Sequence, residues 1–537
     1  MDAQRAAKGN RVAQALARTP GPPIEAVDVG PSTSFSSSSP SPCPPLGAEA
    51  VEGRVLPVWG GERSLGYRNK VSFSAAPPTG GGGDGPAVLG LQRAGTHDGS
   101  GVIVVGGSSE DAGGGGCPLQ SDAANMALRA LSGALRDAGT IPAADRAAGR
   151  SGLSSVVVRS APSPGAGPNA EPTEVLVEIV TAVAPSGDPA LVVSADDVAA
   201  LVDAAATRFE REAAVGRGPT GARVVGWVWT TEALEPPRAR RGEGRQWHNG
   251  GGAGGQGGGR GGGRPRDGGR SRLDVGGRGR GRGHADAAAS IPSPPPWQTV
   301  VVRGRAWLAE SVGTVGFRVG PTTSPFWQIN REGAVELRRL IAEAARGGPP
   351  LGDASSSAWD LFCGSGAWAL GALPRSTGLV VGADVSAAAV AEATSAARRA
   401  GFGAAGGGGA GADGAGARLF VELDLDPAAG GPGVGGLGRS GRFGAPLLAA
   451  CPSPDVVVVD PARAGLSAST RRLVASSNAQ TVVYVSCDPA TLARDCAWLC
   501  RPTDVGGPGY RLDWAAPVDM FPHTPHVEVV ARLVRQG

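Results

Sequence analysis

The sequence predicts an α/β protein, with a doubly wound α/β domain over residues 297–537 behind a smaller, mainly β domain over 54–236. Three observations carry this. After Val300, near-continuous apolar runs (WDLF, LVVGAD, RLFVEL, DVVVVD, TVVYVS) alternate with helical or loop segments, the pattern of parallel strands covered on both faces. From about Val55, short β-branched runs are separated by Gly, Pro and Asp, as in an antiparallel or mixed sheet. The 89 glycines and 45 prolines among 537 residues are clustered and show no G-X-Y period. That excludes collagen and assigns the low-complexity character to a tail and to inserts.

Along the chain, residues 1–53 carry a Ser/Pro run from Ser32 to Pro45 and read as a disordered N-terminus. Their start, MDAQRAAKGNRVAQALARTPGPP, loosely fits an organelle transit peptide. Asp2 and the lack of Ser in the first 20 residues weigh against that, and an ordinary disordered start fits equally well. YRNKVSFS, VLGLQRAG, GVIVVGG, SSVVVRSA and EVLVEIVTAV are the strands of the β domain. Residues 121–137 read as a helix with Ser121 as N-cap and Met126, Leu128, Leu131 and Leu135 as its apolar stripe. Residues 237–296 are a Gly/Arg/Pro-rich linker or insert. Its NGGGAGGQGGGRGGGRPRDGGR resembles an RGG segment that binds single-stranded RNA, although a surface insertion without a role accounts for it as well. In the C-terminal domain, 387–400 and 468–477 are helices, and the Gly-rich stretches 403–416 and 427–446 lengthen connections.

Charge and cysteine usage narrow the class. A net charge of +3 is too mild to identify a nucleic-acid binder. Of the 51 basic residues only Lys8 and Lys70 are lysines. That arginine bias suits phosphate contact, and a GC-rich genome explains it too. No run approaches the roughly 18 apolar residues of a membrane span, so a soluble chain is expected. The seven cysteines form no C-x-x-C pair and the five histidines no finger spacing, which argues against structural zinc or a disulfide framework.

Within WDLFCGSGAWALGAL, a Gly-rich turn follows a strand and opens a helix. Gly364 and Gly366 let the backbone approach a ligand closely, and the helix offers its first amides. About twenty residues on, VVGADVS ends a second strand at Asp384, whose carboxylate can accept both hydroxyls of a ribose. Ala369 occupies the last position of G-x-G-x-x-G, so the dinucleotide pattern is incomplete. A D-x-x-x-G-x-G turn with an acidic residue ending the next strand is the usual layout for S-adenosylmethionine, whose sulfonium needs no pyrophosphate cradle. DVVVVDPARAGL puts Asp460 at the carboxyl end of a third strand. TVVYVSCDPATLARD puts Cys487 just past a strand, with Asp488 and Pro489 as N-cap and N1 of a helix whose amides would lower the thiol pKa. Cys363, Cys451, Cys496 and Cys500 read as buried and inert.

In this order, YRNKVSFS, FWQIN, DLFCGSGAW, VVGADVS, VVDPARAGL, YVSCDPATLARD and DMFPHTPHVE resemble the RNA uracil-5-methyltransferase family, which includes plant and algal members. The resemblance covers residues 54–235 and 297–537. It implies a class I (Rossmann-like) methyltransferase domain that uses S-adenosylmethionine, tRNA or rRNA as substrate, and a β domain that helps to hold it. Carbon 5 of uracil is a poor nucleophile. Addition of the Cys487 thiolate to carbon 6 makes it an enolate carbon able to take the methyl group. A base must then remove the carbon-5 proton, and the resemblance assigns this to Glu528. Gln328, Phe362, Asp384 and Asp460 match family positions that contact the cofactor, with Asp460 nearest the reacting centre. The target base must leave its stack, so unpaired uridines are expected.

Ala462 stands where proline is usual and Asp488 where asparagine is usual, a second carboxylate able to raise the Cys487 pKa. Ala367 replaces a polar cofactor contact of some relatives. An RNA chaperone that keeps the fold without turnover is the alternative. A cytosine-5 methyltransferase would use the same thiol addition, but SCDPAT followed by HVE argues against it. No metal and no membrane partner are expected, and a monomer is. The Arg-rich start and algal-type composition point to a chloroplast or mitochondrion, with cytoplasm and nucleus as alternatives.

Overall fold

The computed structural model describes residues 1–17, 54–77, 85–92, 102–104, 116–139, 141–145, 148–166, 170–183, 193–233, 298–321, 325–347, 351–404, 414–426, 445–501 and 509–537. The 237–296 segment, the Ser/Pro run and most of the 403–416 and 427–446 stretches lie outside the described residues. Helix α1 (Asp2–Leu16) and strand β1 (Arg54–Val55) come first. A first layer follows: β2 (Lys70–Ala76), β3 (Val88–Gln92), β4 (Val102–Val104), α2 (Asp122–Ala138), β5 (Gly152–Ala161), β6 (Glu174–Val183), α3 (Ala195–Ala214), β7 (Arg223–Ala233) and β8 (Gln298–Gly304). The hairpin β9 (Leu308–Val312) and β10 (Val315–Val319) and helix α4 (Arg331–Arg346) lead onward. The second layer is β11 (Ser357–Leu361), α5 (Ala367–Gly371), β12 (Leu379–Asp384), α6 (Ala387–Arg399), β13 (Ala417–Glu422) and α7 (Ala445–Ala450). It continues with β14 (Val456–Val459), α8 (Ala468–Ser476), β15 (Thr481–Ser486), α9 (Pro489–Leu499), β16 (Tyr510–Val518) and β17 (Glu528–Arg535).

Among the described residues the first sheet has the order β4-β3-β2-β5-β6-β7-β8. Its neighbours pair antiparallel except β6 and β7, which are parallel and joined by α3. Helices α2 and α3 share with this sheet a core that includes Phe73, Leu131, Val177, Phe209 and Trp227. Ser121 caps α2 by accepting from Ala124 N, and the stripe of Met126, Leu128, Leu131 and Leu135 is buried. Two features were not read from sequence. Helix α3 opens with a capping box in which Ser194 and Asp197 exchange hydrogen bonds. Strand β8 pairs with β7, so residues 298–304 complete the first sheet rather than open the C-terminal domain expected from 297. Without them β7 would present an unpaired edge.

The second sheet has the order β1-β16-β17-β15-β14-β11-β12-β13. Strands β11 to β15 are parallel, while β17 runs antiparallel between β15 and β16. Chain order reverses at β11, with β12 on one side and β14 on the other, so a crevice opens at the carboxyl edge there. All four valines of β14 are buried, as a strand covered on both faces requires.

The N-terminus corrects the expectation of disorder over residues 1–53 at its start. Lys8, Val12 and Leu16 lie four apart, are buried, and form one face of α1. Val12 and Leu16 join a core cluster with Val55, Leu492, Cys496 and Leu499. Strand β1 pairs with β16, in the second sheet rather than the first. Among the described residues no helix is long and apolar enough to cross a membrane.

Candidate active site

The carboxyl edge collects the chemistry. After β11 the chain turns through three left-handed residues, Phe362 (φ 62°), Gly364 (φ 52°) and Gly366 (φ 79°), into α5. A non-glycine residue in this region costs on the order of 1–3 kcal/mol, and the strained residue, Phe362, lines the cleft. Asp384 ends β12 and fixes the turn from across the crevice. Its Oδ2 accepts from Gly364 N at 2.9 Å and its Oδ1 from Ser386 N at 2.8 Å. Behind the turn, buried Asp360 accepts from Ala369 N at 2.8 Å. Burial pushes its carboxyl up to about 8.

A cleft of about 480 Å³ runs along this edge. It gathers Gln328, Phe362, Gly364, Asp384, Asp460, Cys487 and Glu528, all but one of the residues read from sequence. The exception is Gly366, which caps α5 instead. A Cβ there would sit 3.0 Å from the Phe420 ring and 3.1 Å from Ala393, so its part is to let the turn pack. Asp460 follows β14 and accepts from Trp368 Nε1 at 2.8 Å. Cys487 follows β15. Because β17 is antiparallel, its first residue, Glu528, lies at the edge where the parallel strands end. The register sets Val529 opposite Ser486, so the next residues along, Glu528 and Cys487, are neighbours.

Burial dominates the electrostatics. It raises Glu528 to about 8, helped by the nearby Asp460 charge and opposed by Arg463. It raises Asp460 to about 6 against the Trp368 hydrogen bond. The Cys487 thiol is also raised, first by burial and then by Glu528, with Arg463 opposing. This reverses the expected lowering by helix amides. The first free amides of α9, Ala490 N and Thr491 N, donate to the Asp488 side chain at 2.8 and 3.3 Å, and Cys487 lies outside the cap. Glu528 and, more weakly, Asp460 are the carboxylates that act on the thiol, not Asp488. Cys363, Cys451, Cys496 and Cys500 are buried with thiols pushed up by desolvation.

Sequence reasoning missed Arg463, Trp368 and Phe326, which also line the cleft. All three stand inside quoted motifs, yet only spatial neighbours reveal their parts. Arg463 is the cation that acts on both Glu528 and Cys487, and its Nη2 lies 3.2 Å from His526 Nδ1. Its loop is held by α9. Thr491 Oγ1 donates to Arg463 O (3.1 Å), Arg494 Nη2 to Ala464 O (2.8 Å), and Leu466 N to Asp495 Oδ2 (2.7 Å). Phe326 is 73% exposed at the cleft, an apolar platform free to meet a planar group. Among the described residues no three His, Cys, Asp or Glu gather as a metal-ligand set.

Residues 453–536, which hold Asp460, Cys487 and Glu528, match the tRNA (uracil-5-)-methyltransferase family model. An uncharacterized RNA methyltransferase of Nitratidesulfovibrio vulgaris is 35% identical over 235 residues, covering 44% of this chain and 42% of that protein. The 23S rRNA (uracil(747)-C(5))-methyltransferase RlmC of Halothiobacillus neapolitanus is 32% identical over 242 residues, covering 44% and 52%. The match thus spans about half the length of these relatives. The Pyrococcus abyssi tRNA (uracil-54, C5)-methyltransferase, solved with S-adenosyl-L-homocysteine, shares the fold at a TM-score of 0.50 and 18% identity, over 99% of this chain and 83% of that one.

Proposed function

We propose that this chain, whose residues 453–536 match the tRNA (uracil-5-)-methyltransferase family model, methylates carbon 5 of an unpaired uridine in tRNA or rRNA through a covalent cysteine adduct. The observation that carries the reading is the meeting of Cys487 and Glu528 at the cleft that also holds the Gly364–Asp384 turn. The residues suit S-adenosylmethionine. Asp384 ties the Gly364 turn to its own turn at Ser386 and lines the cleft together with Phe362 and Gln328. When bound, that cofactor supplies an electrophilic methyl group.

The chain's own residues do the rest. Cys487 as thiolate forms a bond to carbon 6 of uracil, which places an electron pair on carbon 5. Once carbon 5 carries the methyl group, Glu528 takes its proton, the carbon-6–sulfur bond breaks, and the 5,6 double bond re-forms with Cys487 as leaving group. A base with a pKa near the working pH is the efficient one for this transfer, and burial brings Glu528 into that range. Arg463 offsets the charge that both groups carry in turn.

The test is transfer of labelled methyl from S-adenosylmethionine to unmodified total RNA, with wild type beside Cys487→Ala and the product nucleoside identified. Labelled 5-methyluridine from wild type only is expected. Label in 5-methylcytidine would overturn the base assignment. RNA binding by both proteins without label would favour the chaperone reading.

A further inference from the structure

Helix α1 touches the second layer at one place of chemical interest. The Lys8 ammonium, 3% exposed, pairs with Asp519 Oδ1, which is fully buried, and donates to Phe521 O at 3.1 Å. One turn earlier, Gln4 Nε2 donates to Thr524 O and its Oε1 accepts from His523 N, both at 3.2 Å. His523 is in the left-handed region at φ 64°, a conformation a non-glycine residue keeps only when its surroundings hold it. Residues 519–527 are the loop that delivers Glu528 to the head of β17. The other side of this loop is held by Asn330 Nδ2 to Met520 O (3.1 Å) and Tyr67 OH to Pro522 O (3.3 Å). Val12 and Leu16 anchor the helix on α9, which begins beside Cys487.

We propose that α1 is a clamp on the 519–527 loop and that Lys8 is a positioning residue for Glu528. The inference rests on the uracil reading above and adds to it helix α1, which lies outside the motifs that carry the family resemblance. Lys8 supplies the only cationic partner found for buried Asp519 among the described residues. Its loss leaves a buried carboxylate whose Oδ2 already lacks a hydrogen-bond partner, a costly state that the loop relieves by moving. The consequence falls on proton removal from carbon 5, the step Glu528 performs, and not on thiol addition.

A substrate analogue separates the two steps. RNA containing 5-fluorouridine accepts the thiol and the methyl group but has no carbon-5 proton to lose, so it traps the adduct whatever the state of Glu528. Full-length wild type, Lys8→Met and the milder Gln4→Ala are compared with S-adenosylmethionine on ordinary and on fluorinated transcripts. For Lys8→Met we expect release of 5-methyluridine to slow at least about tenfold. Denaturant-resistant, methylated protein–RNA adduct should accumulate on ordinary RNA, and trapping on fluorinated RNA should stay within about twofold of wild type. Gln4→Ala, which removes no buried charge, should show the same split at about threefold. Equal loss of trapping and release would mean a merely structural helix and overturn the proposal. So would wild-type release by both variants. If wild type itself neither methylates nor traps, the uracil reading fails first and the clamp falls with it.

Discussion

Replacing Glu528 with glutamine removes an ionisable group whose burial raises its pKa from 4.5 to about 8, and the effect on stability can be worked out with its sign. The folded protein holds this proton more tightly than the unfolded chain, so ionisation destabilises the fold. The contribution is intact below about 4.5 and is lost as pH rises from there to about 8. At about 1.4 kcal/mol per pH unit above the unfolded value, the wild-type carboxyl costs the folded state roughly 3 kcal/mol at pH 7. Glutamine has the same shape and no charge. Glu528→Gln should therefore match wild type near pH 4.5 and exceed it by about 3 kcal/mol at pH 7, or about 6–12 °C in Tm for a domain of this size. Thermal unfolding of both proteins at pH 4.5, 6, 7 and 8, followed by tryptophan fluorescence, measures the gap. A gap that does not widen with pH would refute a buried, proton-holding Glu528, and a less stable glutamine variant at pH 8 would refute it outright.

Trp368→Phe removes the indole hydrogen bond to Asp460, a charge-assisted bond of about 1.5–3 kcal/mol. The Asp460 carboxyl should rise from about 6 by about 1–2 pH units, and the acid limb of the kcat/KM profile should move up with it. Arg463→Met deletes the cation that lowers both Cys487 and Glu528. Alkylation of Cys487 by iodoacetamide at pH 8 should then be slower than in wild type, and an unchanged rate would remove Arg463 from the thiol's surroundings. Trp359→Phe loses a fully buried hydrogen bond to Cys451 O at 3.0 Å and leaves a small void. A loss of about 2 kcal/mol in urea unfolding is expected.

The parallel strands were legible because strands buried on both faces must be apolar throughout, and the runs from WDLF to TVVYVS coincide with β11 to β15. Caps were legible too, since Ser121 and Asp488 mark helix starts by their own hydrogen bonds. Helix α1 was not. Two apolar residues, Val12 and Leu16, make a faint stripe, and the third member of the buried face is a lysine whose acidic partner lies 511 residues away. Gly364, Asp384, Asp460 and Cys487 were legible in local strand–turn–helix patterns, while Gln328, Phe362 and the part of Glu528 came with the family resemblance. The direction of the Cys487 shift was not legible, because it depends on Glu528 in an antiparallel strand and on amides that Asp488 had already claimed.

The sign of charge along the cleft has a consequence for turnover. Asp384, Asp460 and Glu528 outnumber Arg463 among the charged residues described along the cleft, so it carries an acidic excess that is largest above about pH 8, where Glu528 has given up its proton. In the proposed reaction the methyl donor enters as a sulfonium cation and leaves as a neutral thioether. The cleft therefore attracts the charged reactant and loses that attraction when the methyl group departs. An acidic wall thus works as a one-way preference, favouring fresh donor over spent product and opposing inhibition by the compound that every cycle generates.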